Sequence, residues 1–189
     1  MALKNKHLLV VSCGLALQAF ILVLLNTFIP QLAGTDAMWV SFQAWAVYFL
    51  AGCTPKGGVK AWIGYATGIA VSIVILELMN APGISSLSSV GGLNLAMALA
   101  VFIVVIPAIM TENLKNMVPA LFIGSGAFFG LMGIMSSGSE GKSGWDLYLS
   151  VTQAELVYCA VGLLFGYITV FWRGKYEASL KKKGLYGQK

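Results

Sequence analysis

Charge is what this chain has least of. Asp, Glu, Lys and Arg make up 10% of its 189 residues, while 58% are hydrophobic and the mean hydropathy is +0.83. Soluble domains carry about a quarter charged residues. A soluble fold of this size has too little interior to hide so much apolar side chain, so that class is excluded and lipid is the expected solvent. Histidine is nearly absent too, with His7 the single copy. That leaves no His/Glu metal cluster and no nucleophile–His pair, and general-base chemistry would fall to a carboxylate, tyrosine or lysine. The three cysteines, Cys13, Cys53 and Cys159, have no paired spacing and read as small apolar residues. Phosphate-binding loops and nucleotide fingerprints are missing as well. The expectation is a non-enzymatic protein with no cofactor and no metal. The net charge of +5 is not a nucleic-acid signal, because six of the twelve basic residues fall in the last 17 positions, where anionic lipid explains them.

What the chain has is long apolar runs separated by breakers. Leu8–Ile29 is free of charge and long enough to span about 30 Å at about 1.5 Å per residue. A cleaved signal peptide is the competing reading, but signal cores run about 7–15 residues and end at a small-x-small site. Met38–Cys53 is a second, rather short span. Pro55 and Gly57-Gly58 then interrupt the apolar pattern, and Lys56 and Lys60 mark a membrane-surface hairpin over Thr54–Lys60. Ala61–Asn80 follows as the third span, with Trp62 and Tyr65 at its start. Ala81–Leu93 is rich in Pro, Gly and Ser and reads as a loop, or as a shallow re-entrant dip. Asn94–Met110, Val118–Ser136 and Leu147–Trp172 complete the set, and Arg173–Lys189 reads as a frayed polar tail.

Six spans assign the loops alternately to two sides. One side then holds Lys4, Lys6, Lys56, Lys60, Lys115, Arg173, Lys175, Lys181, Lys182, Lys183 and Lys189, and the other holds Lys142 alone. Such segregation is the positive-inside pattern. The expected fold is therefore an all-α membrane protein, a six-transmembrane-helix bundle with both termini cytoplasmic. Residues 1–7 form the cytoplasmic N-terminus, 8–172 the single membrane domain and 173–189 a basic cytoplasmic tail.

Between helices in lipid, close backbone approach matters more than apolarity. Three spans carry Gly-x-x-x-Gly: Gly64/Gly68, Gly126/Gly130 and Gly162/Gly166. These six glycines are the expected packing positions. Polar residues at membrane depth are the functional clues, since a carboxylate there must find water, a partner or a proton. Glu155 precedes Gly162 by 7 and Gly166 by 11 residues. At about 100° per residue both offsets come within about 20° of whole turns, so Glu155 shares their inward face. Gln18, Gln43 and Glu77 are further candidates for a pore or substrate path, and Asn26 and Asn94 lie at a similar outer depth.

The run Cys53-Thr54-Pro55-Lys56-Gly57-Gly58-Val59-Lys60, with Val118-Pro119 before Phe122-Ile123-Gly124, resembles small bacterial inner-membrane proteins of an uncharacterised family, domain of unknown function number 1097. Those proteins show a similar Cys-Pro-x-Gly-Gly-x-Lys turn and a Val-Pro-x-x-Phe-Ile-Gly segment. Here Thr54 is inserted between the cysteine and the proline. The resemblance covers roughly spans two to six and implies a multi-span helical protein of the inner (plasma) membrane. It brings no substrate or catalytic residue.

Two functions fit these features. The first is a channel or simple transporter for a small polar or weakly cationic solute, acting as a homo-oligomer and lined by Glu155. The second is a non-transporting membrane scaffold or accessory subunit that docks a partner protein or anionic lipid.

Overall fold

The computed structural model of the chain describes residues 5–28, 37–87, 94–138 and 144–185. Among these residues every regular element is helical. The six α-helices are α1 (Asn5–Phe28), α2 (Met38–Leu50), α3 (Pro55–Met79), α4 (Leu95–Met110), α5 (Val118–Gly138) and α6 (Trp145–Lys182), with short 3₁₀ turns at Ser85–Leu87 and Thr111–Leu114. Five helical stretches are long and apolar enough to cross a membrane: α1, α3, α5, α6, and α4 together with the 3₁₀ turn that continues it to Leu114. Helix α2 has only 13 residues. It runs about 20 Å, short of a hydrocarbon core of about 30 Å. The sequence pattern extends this segment to Cys53. The helix stops sooner because the chain turns left-handed at Gly52 and Cys53, with φ of 85° and 58°.

The break after α2 is shorter than the sequence suggests. Pro55 and the glycine pair lie within the first turn of α3 rather than in a hairpin outside it. Proline is favoured there because its missing N–H would have no helical partner. The Thr54 hydroxyl accepts the Gly57 N–H at 3.0 Å, capping the helix start. Both following glycines sit in crowded places, and at Gly57 the obstacle is backbone. A Cβ on Gly57 would strike the Ala51 carbonyl, and one on Gly58 would meet the Tyr48 ring at 3.0 Å.

Two seams between parallel helices form the centre. In the first, α3 lies along α5. Gly64 faces Met117 and Ala120, Gly68 faces Leu121 and Ser125, and the Ser72 and Ser125 hydroxyls meet at 2.6 Å. Partner numbers rise together, so the two helices run the same way and α4 is the return. In the second seam α2 lies along α6. Gly162 faces Ser41 and Ala44, Gly166 faces Tyr48, and the buried Ser41 hydroxyl donates to the Tyr158 carbonyl at 2.7 Å. Absent side chains at Gly64, Gly68 and Gly162 bring backbones into direct contact, the geometry that stabilises helix pairs in lipid, while Gly166 makes room for the Tyr48 side chain.

The third Gly-x-x-x-Gly pattern behaves differently. A Cβ on Gly126 would meet open space, and Gly130 touches the Trp39 ring. The close approach on α5 is made by Gly124, where a Cβ would come within 2.7 Å of the Tyr65 Cα. Gly124 lies on the Leu121–Ser125 face of α5, which the Gly126/Gly130 spacing does not reach.

Helix α1 runs against α6 in the opposite direction. Gly14 admits the Trp172 ring, and Tyr176 lies 3.0 Å from His7 Nδ1. Thr169 ties three helices together: it accepts the Trp45 indole N–H at 3.0 Å and lies 2.8 Å from Gln18 Oε1. Helix α6 has 38 residues and does not fray at Arg173. It runs on for about 57 Å to Lys182, beyond any single bilayer crossing. Stacked Trp172 and Tyr176, an Arg173–Glu177 ion pair and buried Leu180 accompany its last turns.

These contacts gather the described basic residues at one end of the bundle. The start of α1 lies beside Tyr176, and Phe49 and Cys53 share a groove with Arg173 and Glu177. The α2–α3 turn shares another with Glu112, Lys115 and Asn116. Lys6, Lys56, Lys60, Lys115, Arg173, Lys175 and Lys181–Lys183 all belong to this end. Lys4, Lys142 and Lys189 lie outside the described residues.

Candidate functional site

The site begins with the inward stripe of α6. Val151, Glu155, Tyr158, Cys159, Gly162, Gly166 and Thr169 are all buried, repeating every three or four residues. Only Glu155 among them is acidic. Its residue is 0% exposed, and neither carboxyl oxygen has a hydrogen-bond partner among the described residues. The Tyr65 hydroxyl of α3 is likewise buried and unpartnered. Tyr65 and the Cys159 thiol, one turn along α6, both lie within electrostatic reach of the Glu155 carboxyl. A carboxyl, a phenol and a thiol thus converge between α3 and α6. Tyr65 comes this close to the neighbouring helix because Gly124 of α5 leaves room for its backbone.

Aromatic rings cover the site on the side away from the basic end. Tyr148 lies two turns before Glu155 on α6. Its ring packs at 6.2 Å from Phe128 of α5 and at 5.5 Å, edge-on, from Trp145. The Tyr148 hydroxyl interacts with the exposed Glu77 carboxyl of α3. An acidic surface group, an aromatic layer and the buried carboxyl with its phenol and thiol neighbours therefore follow one another down the α3–α6 seam.

The other polar candidates separate from this site. Gln18 sits beside Thr169, which is 14 residues, or about 21 Å, along α6 from Glu155. There it links α1 to α6. Gln43 is exposed on the outer face of α2, because Ser41, Ala44 and Trp45 take the inner positions. Asn94 caps α4 by accepting the Met97 N–H at 3.0 Å. The Asn26 side chain lies outside the described residues.

Sequence reasoning missed two members. Tyr65 stands in the sequence only as an aromatic beside Trp62 at the start of the third span, and the three-dimensional approach to Gly124 accompanies its full burial. Cys159 had an available signal, since its spacing of four from Glu155 puts both on one helical face. Among the described residues no group of three or more His, Cys, Asp or Glu could hold a metal ion.

Apolar helices long enough to span a bilayer, packed through glycines and turning a lone carboxyl inward, define a multi-pass helical membrane protein. Its environment is a lipid bilayer. A family model described as "Protein of unknown function (DUF1097)" matches residues 16–172. The chain belongs to that family, which takes in everything from the middle of α1 to Trp172. No curated protein and no solved structure matches it.

Proposed function

We propose that this chain is a transporter or simple channel for a small polar or weakly cationic solute, with Glu155 as the residue the solute or its coupled proton engages. The observation that carries this reading is the pair of unpartnered carboxyl oxygens at a fully buried position. A buried charge without a partner is costly, and a group of this kind inside a membrane protein marks an ion or substrate pathway. A proton, a small cation or a hydrogen-bonding solute would each complete the site, and the Tyr65 hydroxyl supplies a second ligand. The Trp145–Tyr148–Phe128 layer would then be a gate in its closed state, with Glu77 at the outer mouth.

In this reading α2 is the sixth crossing, its short length made good by the neighbours that enclose it. Both termini face the cytoplasm, because the described basic residues with a clear end lie together and positive charge stays inside. One observation favours the alternative, a non-transporting scaffold: Glu155 is 0% exposed, and the grooves beside Lys60, Trp62, Arg173 and Glu112 do not reach it.

Flux into liposomes separates the two. The full chain is reconstituted and offered protons, alkali cations, small organic ammonium ions and uncharged polyols. The expected result is movement of at least one solute by the native protein and its loss in Glu155→Gln, with unchanged elution and melting in detergent. Flux that persists undiminished in Glu155→Gln removes the carboxyl from the mechanism. No flux of any solute by the native protein, together with one partner retained through purification, establishes the scaffold.

A further inference from the structure

The basic end holds a second feature, independent of anything that passes Glu155. A groove of about 400 Å³ opens between α3 and the α4–α5 connection, lined by Lys60, Ile63, Thr67, Leu114, Lys115 and their neighbours. Its chemistry is divided. Lys60 and Lys115 stand at the rim, exposed, and among the described residues neither forms an ion pair. Glu112 shares the adjoining groove with both lysines but forms no ion pair with either among the described residues. The walls are apolar: Ile63 is half exposed and Leu114 is 81% exposed. Thr67 and Thr111 also line it, and both hydroxyls are taken by backbone carbonyls, Thr67 donating to Ile63 at 2.8 Å and Thr111 to Ala108 at 2.6 Å.

The rim is also held in place. Lys115 has a left-handed backbone with φ of 62°, a conformation uncommon for a residue with a side chain. Asn116 pins that turn from both sides, donating to Thr111 Oγ1 at 3.1 Å and accepting the Met117 N–H at 2.9 Å. Two unpaired cations above an apolar cleft match one kind of molecule, with anionic oxygens at one end and hydrocarbon at the other. We propose that this groove is a binding site for an anionic phospholipid, its phosphate between Lys60 and Lys115 and an acyl chain along Ile63, Thr67 and Leu114. Basic pockets between membrane helices are known to bind anionic lipid headgroups.

Native mass spectrometry of the detergent-purified full chain provides the test, with phosphatidylglycerol and phosphatidylcholine as probes. The native protein is expected to retain phosphatidylglycerol in preference. Lys60→Gln with Lys115→Gln is expected to weaken that binding about 10–30-fold. Leu114→Glu provides a second variant at an exposed position and is expected to repel the headgroup without disturbing the fold. The triple tail variant Lys181→Gln, Lys182→Gln and Lys183→Gln is expected to keep the binding. Equal retention of both lipids overturns the proposal, as does binding that survives the groove variants or is lost with the tail. Displacement of phosphatidylglycerol by millimolar inorganic phosphate would identify a free-anion site and overturn the lipid assignment.

Discussion

The α3–α5 seam makes a sharp test of how this bundle is held together. A Cβ placed on Gly68 would lie 2.7 Å from the Ser125 amide nitrogen and 3.1 Å from the Gly124 carbonyl carbon. It would lie closer still to the Leu121 carbonyl oxygen. All three obstacles are backbone, so no side chain can swing aside. Comfortable contact begins near 3.5 Å, so in Gly68→Ala the helices must part by at least about 0.8 Å to clear the Ser125 nitrogen, and by more at the Leu121 carbonyl. A gap of that size forfeits roughly a quarter to a half of the dispersion energy at each facing atom pair. It also stretches the Ser72–Ser125 hydroxyl contact, which stands at 2.6 Å. Overpacking of this kind costs about 1–3 kcal/mol. At about 2 kcal/mol the melting temperature of a chain this size falls by roughly 4–8 °C. Gly126→Ala is the matched control, since its Cβ meets nothing within 4 Å. Thermal unfolding of the two variants in one detergent compares them directly. If Gly68→Ala melts with the native protein, or if Gly126→Ala falls as far, close backbone contact is not what holds α3 to α5.

Other perturbations act on single bonds. Thr169→Val keeps the side-chain shape but strands the Trp45 indole N–H, which loses its partner at 3.0 Å. A buried unpaired donor costs about 1–3 kcal/mol, and Thr169→Ser is expected to restore most of it in the same melting assay. Thr54→Ala removes the hydroxyl that caps α3 at Gly57. The expected cost is about 1 kcal/mol, with Thr54→Ser and Thr54→Asp close to native. Hydrogen exchange should show the loss locally, as faster exchange at the Gly57 amide and its neighbours.

The helices were legible because a membrane solvent forces long uninterrupted apolar runs, and those runs are visible without any knowledge of packing. The inward direction of Glu155 was legible for a related reason, since a spacing of 7 residues is a fact of one helix alone. What could not be read was the pairing between helices. Gly126 and Gly124 differ by two positions on α5, and which of them meets a neighbour depends on the rotation of α3 against it. Tyr65 belongs to the buried cluster for the same reason. Gln18 and Gln43 have amide chemistry in common, yet one bridges helices and the other faces outward, because Thr169 and Trp45 occupy the positions that decide it. The extent of α6 was misjudged at Arg173, where charge ends a membrane span but has no reason to end a helix.

The short helix α2 has its seat on α6, and the bond from Ser41 to the Tyr158 carbonyl joins positions 117 apart. Chains leave the ribosome amino end first. For most of synthesis α2 therefore exists without the surface that shelters it. Helices α3, α4 and α5 must be made before α6 supplies its docking surface, and a nascent chain stopped before Trp145 would hold an orphaned 13-residue helix too brief to anchor itself. Quality control acting on this protein would find its most vulnerable intermediate there, and the last helix to emerge would be the one that rescues it.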